Sequence, residues 1–497
     1  MTAGEPEEPA APATGLRAVL RRGAALSAAG VGAVQLIALA QTLVLARLLT
    51  PAEVGVFTAG TVLTAIVVVF SHSSLSHALI QRRTEVSDAA ETVFWVTLGS
   101  GAALAGLLVL TAPVLSAIFR DDRVGAVAAV SAGTVVLTSL LAVPDALLQR
   151  SFRFERRVIV DPANAIAFAA VSITLAACGF GVWALVAGYY AAVLAAVVAS
   201  WWLCGWRPLR GRFRLRLWRE LAGFAAPLLI ESLVERAVEV TEVVLVGHRL
   251  DSAALGNYRN GRRLAFLPVQ AIVQICSYVL FPAFSSIAGE PARFARGFLG
   301  ALRWMWLAVV PASALSAVLG APLVVLLLGE PWRGAGILVQ AMAGVGIGYA
   351  LMSVSAEALK GAGRPHLING MTGAGAVTAI PLLVLLLPHG LAGVGLALSA
   401  SALLTGITGL LLSRSVVGVT PGELGRILLP PVVAGVVAAA VTAVLEYAVL
   451  RAGDRGVAAG LALVTVEVIV FATAFAAVLQ VISPATLRPV WAAARRS

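Results

Sequence analysis

The sequence predicts an all-α polytopic membrane protein with about fourteen transmembrane helices, arranged as two six-helix lobes in parallel repeat plus two C-terminal helices. Three observations carry this prediction. The first is composition: 60% of the 497 residues are hydrophobic and only 12% are charged, about half the share of a soluble domain, with a mean hydropathy of +0.94. The second is a series of apolar runs of bilayer length. The third is a short turn that occurs twice, "RLLTPAEVGVF" from Arg47 and "HRLDSAALGNY" from His248, about 201 residues apart.

The chain opens on "MTAGEPEEPAAPATG", acidic and rich in Pro and Ala, which predicts a disordered tail over residues 1–16. No cleavable signal peptide precedes the first apolar run, so that run is expected to persist in the mature protein. The predicted spans are 24–47, 54–80, 91–119, 124–148, 158–178, 181–204, 221–247, 256–287, 297–319, 334–359, 366–388, 391–413, 427–449 and 457–481, with twelve spans as the alternative. Turn chemistry separates them, in "TPAE", "CGFGVW", "LPHGLAG" and "GVTPGE".

The net charge is +11, and every basic residue except Lys360 is an arginine. These arginines sit in short loops between apolar runs, which argues against a nucleic-acid partner. One alternate set of loops, including "QRRTE", "RSFRFERR" and "RPLRGRFRLRLWR", holds about 24 basic residues against roughly ten in the other, placing both termini in the cytoplasm. The Arg, Ala and Val bias hints at a GC-rich bacterial genome. Cys178, Cys204 and Cys276 lack metal-ligand spacing and read as small buried hydrophobes.

The duplicated turn joins span 1 to span 2 and span 7 to span 8. Leu49 matches Leu250, Gly55 matches Gly256 and Phe57 matches Tyr258. Six intervening spans leave both copies in the same orientation, so the lobes are parallel repeats. The expected organisation is an N-lobe over 17–210, a C-lobe over 211–415 and a C-terminal helix pair over 416–497. "GFGVWALVAG" (179–188) and "HGLAGVGLALS" (389–399) give weaker support to the same repeat.

A charge at the bilayer centre costs about 2.5–3.5 kcal/mol on insertion scales, so each one needs a reason. Span 7 carries Glu231, Glu235, Arg236, Glu239 and Glu242, and at about 100° per residue Glu231, Glu235 and Glu242 fall on one face. That face must look into protein or water. It serves either for internal pairing with Arg236 or as a cavity wall that binds a proton, a cation or substrate. At the same offset Gln35 falls on Arg236 and Gln41 on Glu242. Span 2 adds His72 and His77; span 8 adds Arg259, Arg262, Arg263, Gln270 and Gln274. The three span 8 arginines are either a snorkelling interfacial anchor or a cationic clamp for phosphate oxygens. There is no Walker A, GxSxG, HExxH or aspartate-rich phosphate motif. Neither enzymatic turnover nor a cofactor or metal is expected, and transport would draw on an ion gradient or the membrane potential.

"LARLLTPAEVGVF", "HALIQRR", "ALLQRSFRFERR", "GFGVWALVAG" and "LVGHRLDSAALGNYRNGRRLAFLP…VLFPAFSSI" resemble the polysaccharide transporter family, the oligosaccharide flippase branch of the multidrug/oligosaccharidyl-lipid/polysaccharide (MOP) superfamily. The resemblance runs from about residue 20 to about 415. It implies a MATE-like fold with a central cavity lined by the first two helices of each lobe, in the bacterial cytoplasmic membrane. It also implies a flippase for undecaprenyl-diphosphate-linked oligosaccharides that works by alternating access beside glycosyltransferases and a polymerase. Arg236, Arg259, Arg262 and Arg263 are then candidates for the anionic headgroup. Glu231, Glu235, Glu239 and Glu242, with Gln35, Gln41, His72, His77, Gln270 and Gln274, line the cavity or couple transport to H+ or Na+. Glu242 stands where relatives are expected to carry an aspartate. The acidic face around Glu231 and Glu235 is unusual for a diphosphate site and favours coupling, or pairing with arginine, there. A multidrug/cation antiporter, a lipid II flippase and a non-transporting scaffold of envelope synthesis remain as alternatives.

Overall fold

The computed structural model describes residues 32–72, 74–82, 84–150, 154–209 and 211–484. All regular structure among them is helical. The helices are α1 (Gly32–Leu48), α2 (Pro51–His72), α3 (Ser74–Gln81), α4 (Val86–Phe119), α5 (Asp122–Ser131), α6 (Gly133–Ser139), α7 (Ala142–Arg150), α8 (Phe154–Ala177) and α9 (Val182–Cys204). There follow α10 (Leu215–Arg249), α11 (Ser252–Ser286), α12 (Pro291–Leu328), α13 (Arg333–Ala341), α14 (Ala343–Gly361), α15 (His366–Leu386), α16 (Gly390–Val417), α17 (Pro421–Val444) and α18 (Val457–Ile482). The described parts of the predicted apolar runs fall on these helices in order. Among the described residues eight helical stretches, or nine counting the bent α13–α14 pair, are long and apolar enough to cross a membrane. α10 and α11, 35 residues each, have the length to span but carry the charged residues singled out above.

The chain divides into two compact units. The described residues of one fall within Met1–Leu49 and Gly60–Ala237, those of the other within Thr50–Ala59 and Val238–Ser497.

In the first unit α4 packs on α5 and α6, and α8 pairs with α9. The apolar run 124–148 is not one straight helix but three short ones. Its two breaks leave carbonyl oxygens without helical partners, and α9 supplies them: Tyr190 donates to the Val130 carbonyl at 2.5 Å and the Trp201 indole to that of Leu140 at 3.0 Å. The basic stretch 207–219 is tied to the start of α4. Both oxygens of Glu91 accept from the Leu209 N–H, at 3.0 and 2.9 Å, and Asp88 accepts from the Arg212 N–H at 3.0 Å. The Arg214 guanidinium pairs with Glu85 at 2.7 Å and Asp88 at 2.8 Å. Acidic groups in the first turns of α4 also complement its helix dipole.

In the second unit α14 and α16 cross closely because Gly348 meets the backbone of Ala402, and Gly406 meets the Gly348 carbonyl. α15 and α16 form a hairpin. Phe284, Phe298, Leu302 and Trp306 fill the core between α11, α12 and α14, and α17–α18 cover α12. The "TPAE" and "TPGE" turns are both capping boxes: Thr50 with Glu53 opens α2, and Thr420 with Glu423 opens α17.

Candidate functional site

The two copies of the duplicated turn lie against each other within the second unit. Each opens a helix with a capped N-terminus: Thr50 with Glu53, and Asp251, whose carboxylate accepts from the Ala254 N–H at 2.6 Å. Each glycine then meets the other copy's first helical residue. A Cβ on Gly55 would overlap the Ser252 carbonyl, and one on Gly256 would overlap the Pro51 carbonyl. Pro51 and Ser252 are themselves equivalent at the 201-residue offset, so the contact is reciprocal, like an isologous interface. The equivalent positions Thr58 and Arg259 also meet, with Arg259 donating to Thr58 Oγ1 at 3.2 Å. The Arg259 guanidinium rests over the Phe57 ring, 4.8 Å from its centroid. The turn is duplicated because its glycine serves as a crossing point from both sides.

One turn further along α11, a polar triad closes on itself. Glu242 of α10 is 5% exposed. Its Oε2 accepts from the Tyr258 hydroxyl at 2.7 Å and from the Arg262 guanidinium at 2.7 Å, while Arg262 also donates to the Tyr258 oxygen at 2.8 Å. Tyr258 and Arg262 are i and i+4 on α11, so both reach the same carboxylate. The Arg262 guanidinium also lies 5.6 Å from the Phe266 ring, which packs edge-on against Tyr349. Behind the triad, Asn257 fixes α11 to α13: its Oδ1 accepts from the Ala335 N–H at 2.8 Å and its Nδ2 donates to the Ala253 carbonyl at 3.0 Å.

The residues singled out in the sequence fall into three groups. Glu242, Arg259 and Arg262 belong to the arrangement just described, which joins an expected coupling carboxylate to an expected clamp arginine. Glu239 and Arg263 lie half-buried on the same two helices. Arg236 is exposed and belongs to the first unit, as do Gln35, exposed on α1, and Gln41, buried on α1. The side chains of Glu231, Glu235, His72, His77, Gln270 and Gln274 lie outside the described residues. Sequence reasoning missed Tyr258, Asn257 and Thr58 as polar partners. The signal for Tyr258 was its place one turn before Arg262.

A cavity of about 40 Å³ lies beyond Arg262, lined by Ala265, Val269, Ser313, Met342 and Gly346 among others. It has room for about three waters and none for a sugar.

Residues 44–336 match the family described as "Polysaccharide biosynthesis protein". Among curated relatives, the chain is 24% identical over 297 residues to the teichuronic acid biosynthesis protein TuaB of Bacillus subtilis, covering 58% of this chain and 60% of that one. It is 22% identical over 297 residues to the succinoglycan biosynthesis transport protein ExoT of Rhizobium meliloti, covering 58% of each. The chain thus spans about three-fifths of the length of these relatives. Among solved structures it resembles the lipid II flippase MurJ in an inward closed conformation, with a TM-score of 0.73 at 13% identity over 91% of this chain and 98% of that one. It also resembles an inward-facing multidrug resistance MATE transporter of the MOP superfamily, with a TM-score of 0.58 at 17% identity over 78% of this chain and 94% of that one. At these identities the likeness shows the fold alone. The matched region holds both copies of the turn and the whole triad, and the chain belongs to the polysaccharide biosynthesis protein family, with a multi-pass helical fold like that of MurJ and the MATE transporter.

Proposed function

We propose that this protein is a flippase that moves a prenyl-diphosphate-linked oligosaccharide, of the undecaprenyl type, across the bacterial cytoplasmic membrane for envelope or exopolysaccharide synthesis. The lobes 17–210 and 211–415 alternate access, residues 416–497 form an added hairpin, and both termini are cytoplasmic. Glycosyltransferases supply the lipid-linked glycan and a polymerase consumes it. Family membership and the names of TuaB and ExoT support the substrate class.

The observation that carries the reading is the Glu242–Tyr258–Arg262 triad. It is a guanidinium held between helices α10 and α11, its charge balanced by a carboxylate and one of its N–H groups accepted by a phenol oxygen. A diphosphate offers Arg262 bidentate charge-assisted bonds in place of Glu242. Glu242, released from Arg262 in an apolar setting, then takes up H+ or Na+. Headgroup capture and ion uptake become two sides of one partner exchange, with Arg259 and Arg263 adding cationic charge and Glu239 lying on the same helix as Glu242.

Deletion of the gene with extraction of lipid-linked intermediates tests the reading: a prenyl-diphosphate oligosaccharide should accumulate. Accumulation of a peptidoglycan precursor would favour lipid II, and drug sensitivity without any lipid-linked species would favour a cation antiporter. Arg262→Ala combined with Arg263→Ala should insert normally yet fail to restore export. Normal surface polymer from that variant would reject the arginine clamp.

A further inference from the structure

The α17–α18 hairpin holds two more intramembrane carboxylates, Glu446 and Glu467, 3% and 0% exposed. α17 runs at Val444 into a π-helical turn, Leu445–Leu450, the wide turn that proteins often place at functional sites. Glu446 Oε2 accepts from the Ala452 N–H at 2.9 Å. Glu467 stands ten residues into α18, about 15 Å from its start. Both of its carboxyl oxygens are buried without a hydrogen-bond partner, and the neighbouring acidic group is Glu446. Val464 and Ala452, packed with Leu326, close the site on one side, and Phe471 packs one turn further on. At Gly460 the bare backbone lets α18 approach the Ala452 carbonyl, at the turn between the two carboxylate-bearing segments.

No described cation pairs with either group. The charged residues of the connecting loop are otherwise engaged or outward: Asp454 lies 3.8 Å from Arg333 of α13, Arg455 Nε donates to the Leu450 carbonyl at 3.5 Å, and Arg451 is exposed. Tyr447 donates to the Val318 carbonyl at 3.0 Å and accepts from Gln340 at 2.8 Å. Arg293, Arg296 and Arg303 of α12, and Glu423 and Arg426 of α17, lie toward the opposite ends of their helices.

An unpaired buried ion costs several kcal/mol even after relaxation, and a second like charge beside it adds to that cost. An ionised Glu467 could only accept hydrogen bonds, and no described group donates to it. A protonated Glu467 can donate to Glu446, and the pair then carries a single charge, the arrangement adopted by carboxylate dyads. We propose that Glu446 and Glu467 form an intramembrane proton-binding site in which one proton is shared by two carboxylates, separate from the Glu242–Arg262 pair. The site stands whether or not the chain is a flippase.

The test is infrared titration of the full chain in lipid nanodiscs, following the carboxylic-acid C=O stretch. Wild type should show an acid band at neutral pH that is lost at alkaline pH. The band should vanish in Glu467→Gln, whose amide keeps the shape and still donates to Glu446, and in the double variant with Glu446→Gln. A band unchanged in Glu467→Gln, or absent in wild type, would overturn the site, as would loss of the band on adding Na+ at fixed pH, which would mark a metal-cation site. If Glu467→Gln fails to fold, the same comparison is read on Glu446→Gln, where an unchanged band overturns the shared proton. Transport of lipid-linked glycan is measured on the same preparations: a titrating band without transport retires the flippase reading and keeps the site, and transport without the band does the reverse.

Discussion

Gly55→Ala and Gly256→Ala test the reciprocal crossing of the duplicated turn. In either variant the new methyl overlaps a backbone carbonyl, that of Ser252 or of Pro51, and a backbone atom cannot rotate away as a side chain would. The first turns of α2 and α11 must separate, which also stretches the Arg259–Thr58 bond of 3.2 Å. Overpacking of this kind costs about 1–3 kcal/mol. At 1.4 kcal/mol per decade that is roughly a 5- to 140-fold fall in the folding equilibrium constant. The two penalties should not add, because helices parted for one methyl have already made room for the other. Gly106→Ala on α4 is the control: it is exposed, with nothing within 4 Å of the added carbon, and a helix-interior Gly→Ala change should stabilise by up to about 1 kcal/mol. Thermal unfolding of the full chain in nanodiscs, followed by tryptophan fluorescence, reads all three. If Gly55→Ala and Gly256→Ala melt with or above wild type, as Gly106→Ala should, the crossing does not exist as described.

Other expectations follow from the same contacts. Tyr258→Phe removes a hydroxyl bonded to two charged groups and should cost about 1.5–3 kcal/mol, with a coupling to Glu242→Gln of about 0.5–3 kcal/mol in a double-mutant cycle; additive effects would dissolve the triad. In reconstituted protein, Glu242→Gln should still bind lipid-linked glycan but lose the dependence of transport on an imposed ion or pH gradient, and retained dependence in a well-folded variant would reject coupling through Glu242. A cytoplasm-active reporter fused after Arg216 or after Arg496 should give signal, and one fused between α1 and α2 should be silent; the reverse pattern would invert the topology. Asp121 caps α5 and pairs with Arg123 at 2.8 Å, and that hydrogen bond holds its carboxyl below the usual value of 3.8. A depressed folded-state pKa stabilises above 3.8 and loses its effect as pH falls through the folded value. Asp121→Ala should therefore cost about 0.5–2 kcal/mol at neutral pH, in a gap that narrows below pH 3.8 in unfolding curves.

How much of this was legible depends on the range of the interaction. The order of the apolar runs, the capped turn after Leu49 and its copy after Leu250 are local patterns, and each has its helix or its cap. The reciprocal contact of Gly55 and Gly256 was half legible: the repeat marked the two glycines as equivalent, but only tertiary packing reveals that they meet. Pairing was not legible. Arg236 is the arginine nearest to Glu242 along α10, yet the guanidinium described on Glu242 comes from α11. In the run 124–148 Pro144 lacks the N–H that would bond the Leu140 carbonyl, a local hint of the second break, but the donors that make both breaks tolerable, Tyr190 and Trp201, lie on α9. Glu446 and Glu467 escaped for another reason: each is the lone charge of an otherwise apolar stretch, and their significance appears only when the hairpin sets them side by side.

The two carboxylate sites differ in what balances the charge, and that difference bears on the proposed cycle. Glu242 has a guanidinium and a phenol, so its carboxylate is hydrogen-bonded while Arg262 stays in place. It can respond only if something else takes Arg262 away. A diphosphate can, because it offers a guanidinium two oxygens where Glu242 offers one. Linkage then works in both directions: whatever factor the headgroup adds to ion uptake at Glu242, the ion adds to headgroup binding, typically 1–3 kcal/mol in coupled sites of this kind. Glu467 has no such partner to lose. Its proton is required by burial beside a second carboxylate, so its occupancy should follow pH in the absence of substrate, whereas ion uptake at Glu242 should follow the presence of the headgroup.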